Sequence, residues 1–258
     1  QGVKTGLHTL TNFTRTNDSY VTPIPDKRLK TMVPVKLLEE ISAEETELRI
    51  DELKGFAYAA TLNSFRIGDE LLQYQECKPD QEKGILLTGC TRGAFGTTAA
   101  GHPKGAEVYK LTDYPYQTLF PDIDLQDEFS DRIAELFNKT GLNQISFDGQ
   151  EGCEWTGEGE YAVNRFAMRC YEQFDHLVLN DASRLHHFLW HMNTRMNWGE
   201  PWGKSMRTGQ VKGRIKNQKF FEKNQYQTPR LFSYSQHLAD FRAIEEQIYT
   251  KIHNQKVA

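Results

Sequence analysis

The sequence has no long apolar run, no excess of basic charge and no cysteine spacing typical of a metal site. Its longest apolar stretches, such as Ile85–Leu87, are far shorter than the roughly 18 residues that a membrane-spanning helix needs. The 31 Lys and Arg are outnumbered by 35 Asp and Glu, and this net charge of −4 argues against a nucleic-acid-binding protein. We therefore expect no membrane span and no nucleic-acid partner.

The four cysteines do not match the common zinc motifs. No two of them form a C-x-x-C pair, so we predict no metal and no cofactor. Cys77 and Cys90 end two adjacent strand-like runs. A disulfide across a hairpin is one interpretation of this pair, and small buried thiols are the simpler one.

The chain does have 258 residues and an aromatic content of 12%, which favour a folded protein with a sizeable core over a disordered one. It begins at Gln1 and shows no secretory signal at that end. We expect either that a leader has been removed or that the chain is a piece of a longer parent polypeptide.

Residues 111–258 show strand-like runs that alternate with stretches of helical period. Helical spacing of apolar residues follows Asp122 up to Gly141 and recurs from about Glu160. Short apolar runs predict parallel strands near residues 6, 115, 145, 177 and 231. Strands and helices that alternate at this interval form a parallel sheet, either open or closed into a barrel.

Residues 36–110 have a different pattern, with several strand-like runs separated by polar or glycine turns. We interpret this segment as a small, mostly β module inserted in a strand-to-helix loop, because one more strand of the parallel sheet precedes it. The predicted organisation is a first barrel strand and loop at 1–35, the β module at 36–110 and βα repeats at 111–258.

The predicted fold class is α/β, with a (β/α)8-type barrel, or TIM barrel, that is partial or a fragment. The candidate parallel strands are fewer than the eight of a complete barrel, and the length outside the module is below the about 250 residues typical of one. An open sheet is the alternative.

Functional groups in parallel α/β proteins gather where the strands end at their carboxyl side. Asp148 ends the most apolar predicted strand and lies too far from the next helix to cap it. With Glu151 it offers two carboxylates in one loop, and paired carboxylates break glycosidic bonds. We interpret His8, Asp124 and Asp181, which also follow predicted strands, as substrate contacts. Helix capping is the alternative for the two aspartates.

A loop rich in glycine and proline places Trp198 and Trp202 on either side of Glu200. Exposed aromatic rings pack against sugar rings, so these residues predict a sugar platform, with Glu200 as a third catalytic candidate. The alternative is that the two rings only seal the top of the barrel.

A strongly basic segment lies between residues 203 and 230, where eight Lys and Arg accompany a single Glu. Arg207 and Arg214 in this segment are candidates for binding a carboxylate or sulfate of an anionic glycan. A solvated helix face is the alternative interpretation.

Two parts of the chain are similar to known proteins. The segment Thr88–Thr97, followed by Ala99, His102, Gly105 and Val108, resembles a small β module of phage tail components and of large carbohydrate-active proteins. Its glycines suit tight turns, and we assign no catalytic role to His102.

The other distinctive segments are Gly6–Thr9, Asn17–Asp18, Tyr20–Pro23, Phe120–Asp124, Phe147–Gly149 with Glu151, and Arg195–Trp202. Together they resemble the barrel portion of uncharacterised glycoside-hydrolase-like proteins from polysaccharide-degrading bacteria. The resemblance implies a secreted or periplasmic protein that acts on glycans, and it brings no assigned catalytic residues. Such barrels would continue beyond Tyr234, soon after which this chain stops.

The sequence therefore predicts a carbohydrate-active hydrolase that cleaves glycosidic bonds in a neutral or anionic polysaccharide or oligosaccharide. Asp148 and either Glu151 or Glu200 would supply the catalytic carboxylates. One alternative is a polysaccharide lyase acting on a uronate-containing glycan, which the basic segment favours. The other is a glycan-binding or structural protein without catalytic activity.

Overall fold

The computed structural model describes residues 4–57, 61–80, 84–114, 116–150, 152, 156–182, 193–196, 212 and 215. The chain divides into two compact units. The first unit comprises residues 1–9, 141–148 and 175–258, and the second comprises residues 10–140 and 149–174. The predicted boundaries at 35/36 and 110/111 remain predictions.

The described residues contain two α-helices, α1 (Ile123–Thr140) and α2 (Gly159–Gln173). The strands, in chain order, are β1 (Gly6–Leu10), β2 (Thr14–Arg15), β3 (Val35–Lys36), β4 (Leu48–Ile50), β5 (Ser64–Ile67), β6 (Glu70–Gln73), β7 (Glu76–Pro79), β8 (Ile85–Thr88), β9 (Glu107–Lys110), β10 (Asp113–Tyr114), β11 (Thr118–Leu119), β12 (Gln144–Asp148), β13 (Leu179–Ala182) and β14 (Asn193–Met196). Short 3₁₀ turns lie at Lys54–Ala57 and Ala94–Gly96.

The first unit is built on a four-stranded sheet with the strand order β1-β12-β13-β14. β12 pairs in parallel with β13, and β13 pairs in parallel with β14. Ile145 and Phe147 of β12 are fully buried, in agreement with the apolar run that predicted this strand. The parallel strands predicted near residues 145 and 177 are therefore confirmed.

The second unit contains three antiparallel sheets, with the strand orders β10-β11-β2, β3-β9-β5-β6 and β4-β8-β7. Alternate residues of strands β3, β4, β5, β8 and β9 point into one apolar core, as a period of two requires. Its buried members include Val35, Leu48, Ile50, Phe65, Ile67, Leu87 and Val108.

Helices α1 and α2 pack against each other in the second unit. Asp122 caps α1, since its Oδ1 accepts a hydrogen bond from the Leu125 amide at 2.9 Å. The helix ends at Gly141, whose φ of 67° stops the helical course. The predicted start and end of α1 and the predicted start of α2 are confirmed.

The predicted (β/α)8 barrel is wrong. Within the described residues, most strands belong to small antiparallel sheets, and the parallel sheet has four strands and is not closed. In a (β/α)8 barrel, neighbouring strands pair in parallel and a helix connects each strand to the next. Here the ten strands β2 to β11 follow β1 and precede α1 in the sequence, and they pair antiparallel.

The parallel strand predicted near residue 115 is also wrong. Tyr116 and Gln117 have positive φ values of 74° and 56°, so the run turns back on itself. Its two halves become β10 and β11, which pair antiparallel. The strand predicted near residue 231 lies outside the described residues.

Across the described ranges, no helix is long and apolar enough to cross a membrane. Cys77, Cys90 and Cys170 are free thiols, so no disulfide joins Cys77 to Cys90. Cys90 is a buried member of the apolar core of the second unit, and the partly buried Cys77 packs against the same core.

Candidate functional site

The candidate site lies on β1 and β12 of the first unit. The Asn143 amide donates a hydrogen bond to the Thr5 carbonyl at 2.9 Å, and His8 lies beside Ser146, so the contacts advance in the same direction along both strands. Gly6 permits this approach, because a Cβ there would lie 2.7 Å from the Gln144 carbonyl oxygen. Residues that differ by 138 in number therefore lie opposite each other.

His8 connects two side chains of β12. Its Nδ1 lies 3.0 Å from Ser146 Oγ, and its Nε2 lies 3.3 Å from Asp148 Oδ2. Ser146 and Asp148 are two residues apart on one strand, so both side chains point to the same face of the sheet. The three residues thus form one cluster, with the imidazole between a hydroxyl and a carboxylate.

The three residues of the cluster differ in how far they are exposed to solvent. Ser146 is 8% exposed, whereas the side chains of Asp148 and His8 are 26% and 54% exposed. Its carboxylate and imidazole are therefore accessible to a ligand, and its hydroxyl lies behind them. Acidic and imidazole groups held this closely are suited to moving a proton or to supporting a carboxylate during bond cleavage.

The chain turns directly after Asp148. Gly149 has a φ of 72°, a conformation that L side chains rarely adopt. Asp148 is the last residue of β12, as the sequence predicted.

The structure places the other predicted site residues as follows. Asp124 lies in the first turn of α1 in the second unit and is exposed. Asp181 lies in β13, at the register position opposite Ser146. The remaining predicted residues lie outside the described ones, namely Glu151, Trp198, Glu200, Trp202, Arg207 and Arg214.

In the segment that resembles a known β module, Arg92 and His102 both bind the buried carboxylate of Glu70. Glu70 accepts hydrogen bonds from Arg92 Nε and Nη2, both at 2.8 Å, and from the Gly93 amide at 2.9 Å. His102 Nε2 lies 2.7 Å from the second carboxylate oxygen of Glu70. Burial alone raises the pKa of Glu70, but the bonds from His102, Arg92 and the backbone lower it to about 2. Arg92 and His102 therefore hold the module together.

A comparison with models of known protein families gives no match, and a comparison with curated proteins gives none either.

Ser146 is the member of the cluster that sequence reasoning missed. The sequence did indicate this residue, because Ser146 precedes Asp148 by two positions and therefore lies on the same face of the strand. A serine inside an otherwise buried strand needs a hydrogen-bond partner, and His8 provides it.

Metal binding finds no support in the described part of the chain. Within it, no group of three or more His, Cys, Asp or Glu side chains is arranged to hold an ion. Ser146 is a weaker metal ligand than a carboxylate or imidazole, which leaves the cluster with two good ligands, fewer than a protein zinc site uses.

Proposed function

We propose that the protein is a carbohydrate-active hydrolase in which Asp148 is one of the two catalytic carboxylates. The observation that carries this proposal is the position of Asp148 at the carboxyl end of a parallel strand, within 3.3 Å of the His8 imidazole. Ligands of open parallel sheets bind at this end of the strands. The side chain is partly exposed, as a group that meets a substrate must be.

The second carboxylate would be Glu151 or Glu200. Glycosidases place one carboxyl group to protonate the leaving oxygen and another to attack the sugar or to activate water. Glu151 follows Asp148 by three residues, and Glu200 lies between two tryptophans that suit a sugar ring. We propose that the protein acts outside the cytoplasm, in the periplasm or as a secreted protein.

The test is release of reducing ends from a panel of neutral and acidic polysaccharides by the 258-residue chain. The Asp148→Asn variant keeps the shape of the side chain and removes its ability to act as acid, base or nucleophile. We expect the rate to fall by at least about a hundredfold, the size of a typical acid–base contribution. The matched control is Glu172→Gln, which changes an exposed carboxylate on α2 and should leave the rate unchanged.

The products decide between hydrolysis and its alternatives. Hydrolysis releases reducing ends without ultraviolet absorbance, whereas a lyase leaves a C=C bond that absorbs. Binding of glycans with no product at all would identify a glycan-binding protein. Unchanged turnover in Asp148→Asn would contradict the role proposed for Asp148.

A further inference from the structure

We propose that His8 is a positioning residue for Asp148, and that Ser146 holds His8 in the tautomer that this role requires. The inference rests on the proposed function, since it assigns His8 a part in the same site. It also replaces the interpretation of His8 as a substrate contact, because both ring nitrogens already face groups of β12.

The chemistry of the two partners of His8 indicates which ring nitrogen carries the proton. A carboxylate accepts hydrogen bonds and donates none, so the contact to Asp148 requires a proton on His8 Nε2. A neutral imidazole then has a lone pair on Nδ1, and the Ser146 hydroxyl can donate to it across 3.0 Å. The cluster is therefore a directed series, from the hydroxyl through the imidazole to the carboxylate.

The burial of Ser146 makes it suitable for this task. Ser146 lies in a strand and is only 8% exposed, so few waters compete for its hydroxyl, and the bond from this hydroxyl to Nδ1 sets the tautomer of the ring. The Nε2–H group in turn limits rotation of the Asp148 carboxylate. A carboxylate held in one orientation can meet the reacting atom without a further loss of freedom.

The first test does not depend on activity. Nitrogen–proton correlation NMR of the ¹⁵N-labelled 258-residue chain, at a pH where His8 is neutral, reports which ring nitrogen carries the proton. We expect the Nε2–H tautomer in the native chain and a mixture in Ser146→Ala. The matched control is Thr9→Ala, which deletes a hydroxyl from the next residue of β1 and should keep the native tautomer. An Nδ1–H ring in the native chain, or an unchanged ring in Ser146→Ala, would overturn the inference.

The second test separates positioning from substrate contact, with the panel glycan that is cleaved fastest. His8→Ala should lower kcat about 10- to 100-fold with little change in KM, since misplaced groups cost up to about a hundredfold. His8→Gln places an amide N–H where Nε2 lies and should restore most of the rate. A rise in KM at constant kcat would assign His8 to substrate binding and contradict positioning.

The two tests also distinguish this inference from the proposed function. If no panel glycan is cleaved but the Nε2–H tautomer depends on Ser146, the hydrolase proposal fails and the His8–Ser146 relation stands. If glycans are cleaved and Asp148→Asn is inactive, yet the ring is Nδ1–H, then the hydrolase proposal stands and the positioning role fails. Circular dichroism and thermal unfolding of each variant confirm that it is folded.

Discussion

At the scale of single residues, Glu70 and His102 form part of a buried polar cluster that stabilises the fold. Arg92 and His102 both bind the carboxylate of Glu70. The Glu70 side chain is fully buried, so its charge requires these partners.

The Glu70→Gln substitution should therefore destabilise the second unit strongly. It leaves Arg92 and His102 buried with no carboxylate, and breaking a buried ion pair typically costs about 3–5 kcal/mol. Urea unfolding followed by circular dichroism measures the loss. Glu76→Gln is the control, because the Glu76 side chain on β7 is 68% exposed and its change should stay within about 0.5 kcal/mol.

The lowered pKa of Glu70 predicts that the stability of the fold decreases in acid. The pKa of Glu70 is lower in the folded chain than in the unfolded chain, so the carboxylate stabilises the fold above its unfolded pKa. This contribution is lost as the pH falls toward about 2. Stability curves should therefore fall less steeply with acid in Glu70→Gln, and parallel curves for the two proteins would contradict the network.

His176 predicts the opposite pH dependence in the first unit. Its Nδ1 lies 2.7 Å from Asp175 Oδ1 and its Nε2 lies 2.7 Å from the Leu142 carbonyl oxygen. Both partners are acceptors, so only the doubly protonated ring donates to both, and these bonds raise the pKa of His176. Since the folded pKa is raised, this stabilisation is present below the unfolded pKa and is lost as the pH rises through the folded pKa.

Proton NMR titration measures this effect directly. The His176 ring should titrate above the ordinary histidine value, and Asp175→Asn should lower its midpoint. A midpoint that does not respond to Asp175→Asn would show that this carboxylate does not set the charge of the ring.

At the scale of elements, α1 and α2 combine an apolar interface with a series of ion pairs. Arg165 binds Asp127 through two hydrogen bonds of 2.9 and 2.6 Å, and Arg169 binds Asp131 in the same way one turn later. The spacing of four residues on both helices brings the charges together on one side. Beneath them, Phe166 and the Cys170 thiol are buried.

We predict that the buried side chains, and not the ion pairs, hold these helices together. Phe166→Ala should lower the free energy of unfolding by about 3–5 kcal/mol, because it removes a buried ring and leaves a cavity. Asp131→Asn should cost less than about 1 kcal/mol, since the Arg169 and Asp131 side chains are each more than a third exposed to solvent. Urea unfolding of the two variants compares them, and equal losses would refute the ranking.

At the scale of the whole molecule, the described thiols predict a fold that does not depend on disulfides. Burial raises the pKa of the Cys90 thiol to about 12 and also raises the pKa of the fully buried Cys170. We expect iodoacetamide to alkylate these two residues only after unfolding, as peptide mass spectrometry would show. A reductant should leave the thermal midpoint of the chain unchanged, and a Cys77–Cys90 linked peptide would contradict this prediction.

The sequence by itself determined the features that depend on local spacing. A period of 3.6 residues located α1 and the start of α2, Gly141 marked the end of α1, and the apolar run before Asp148 located β12. Each of these follows from which residues one element buries. The position of Asp148 at the end of a strand was therefore predictable.

The tertiary structure decided which strands pair, and therefore which residues meet. Periodicity does not distinguish a parallel strand near residue 115 from the antiparallel pair β10 and β11, since the choice depends on the backbone turn at Tyr116 and Gln117. Likewise, the register of β1 against β12 brings His8 beside Ser146 across 138 residues. A shift of one residue would turn His8 to the other face of the sheet, so contacts between strands fix this cluster.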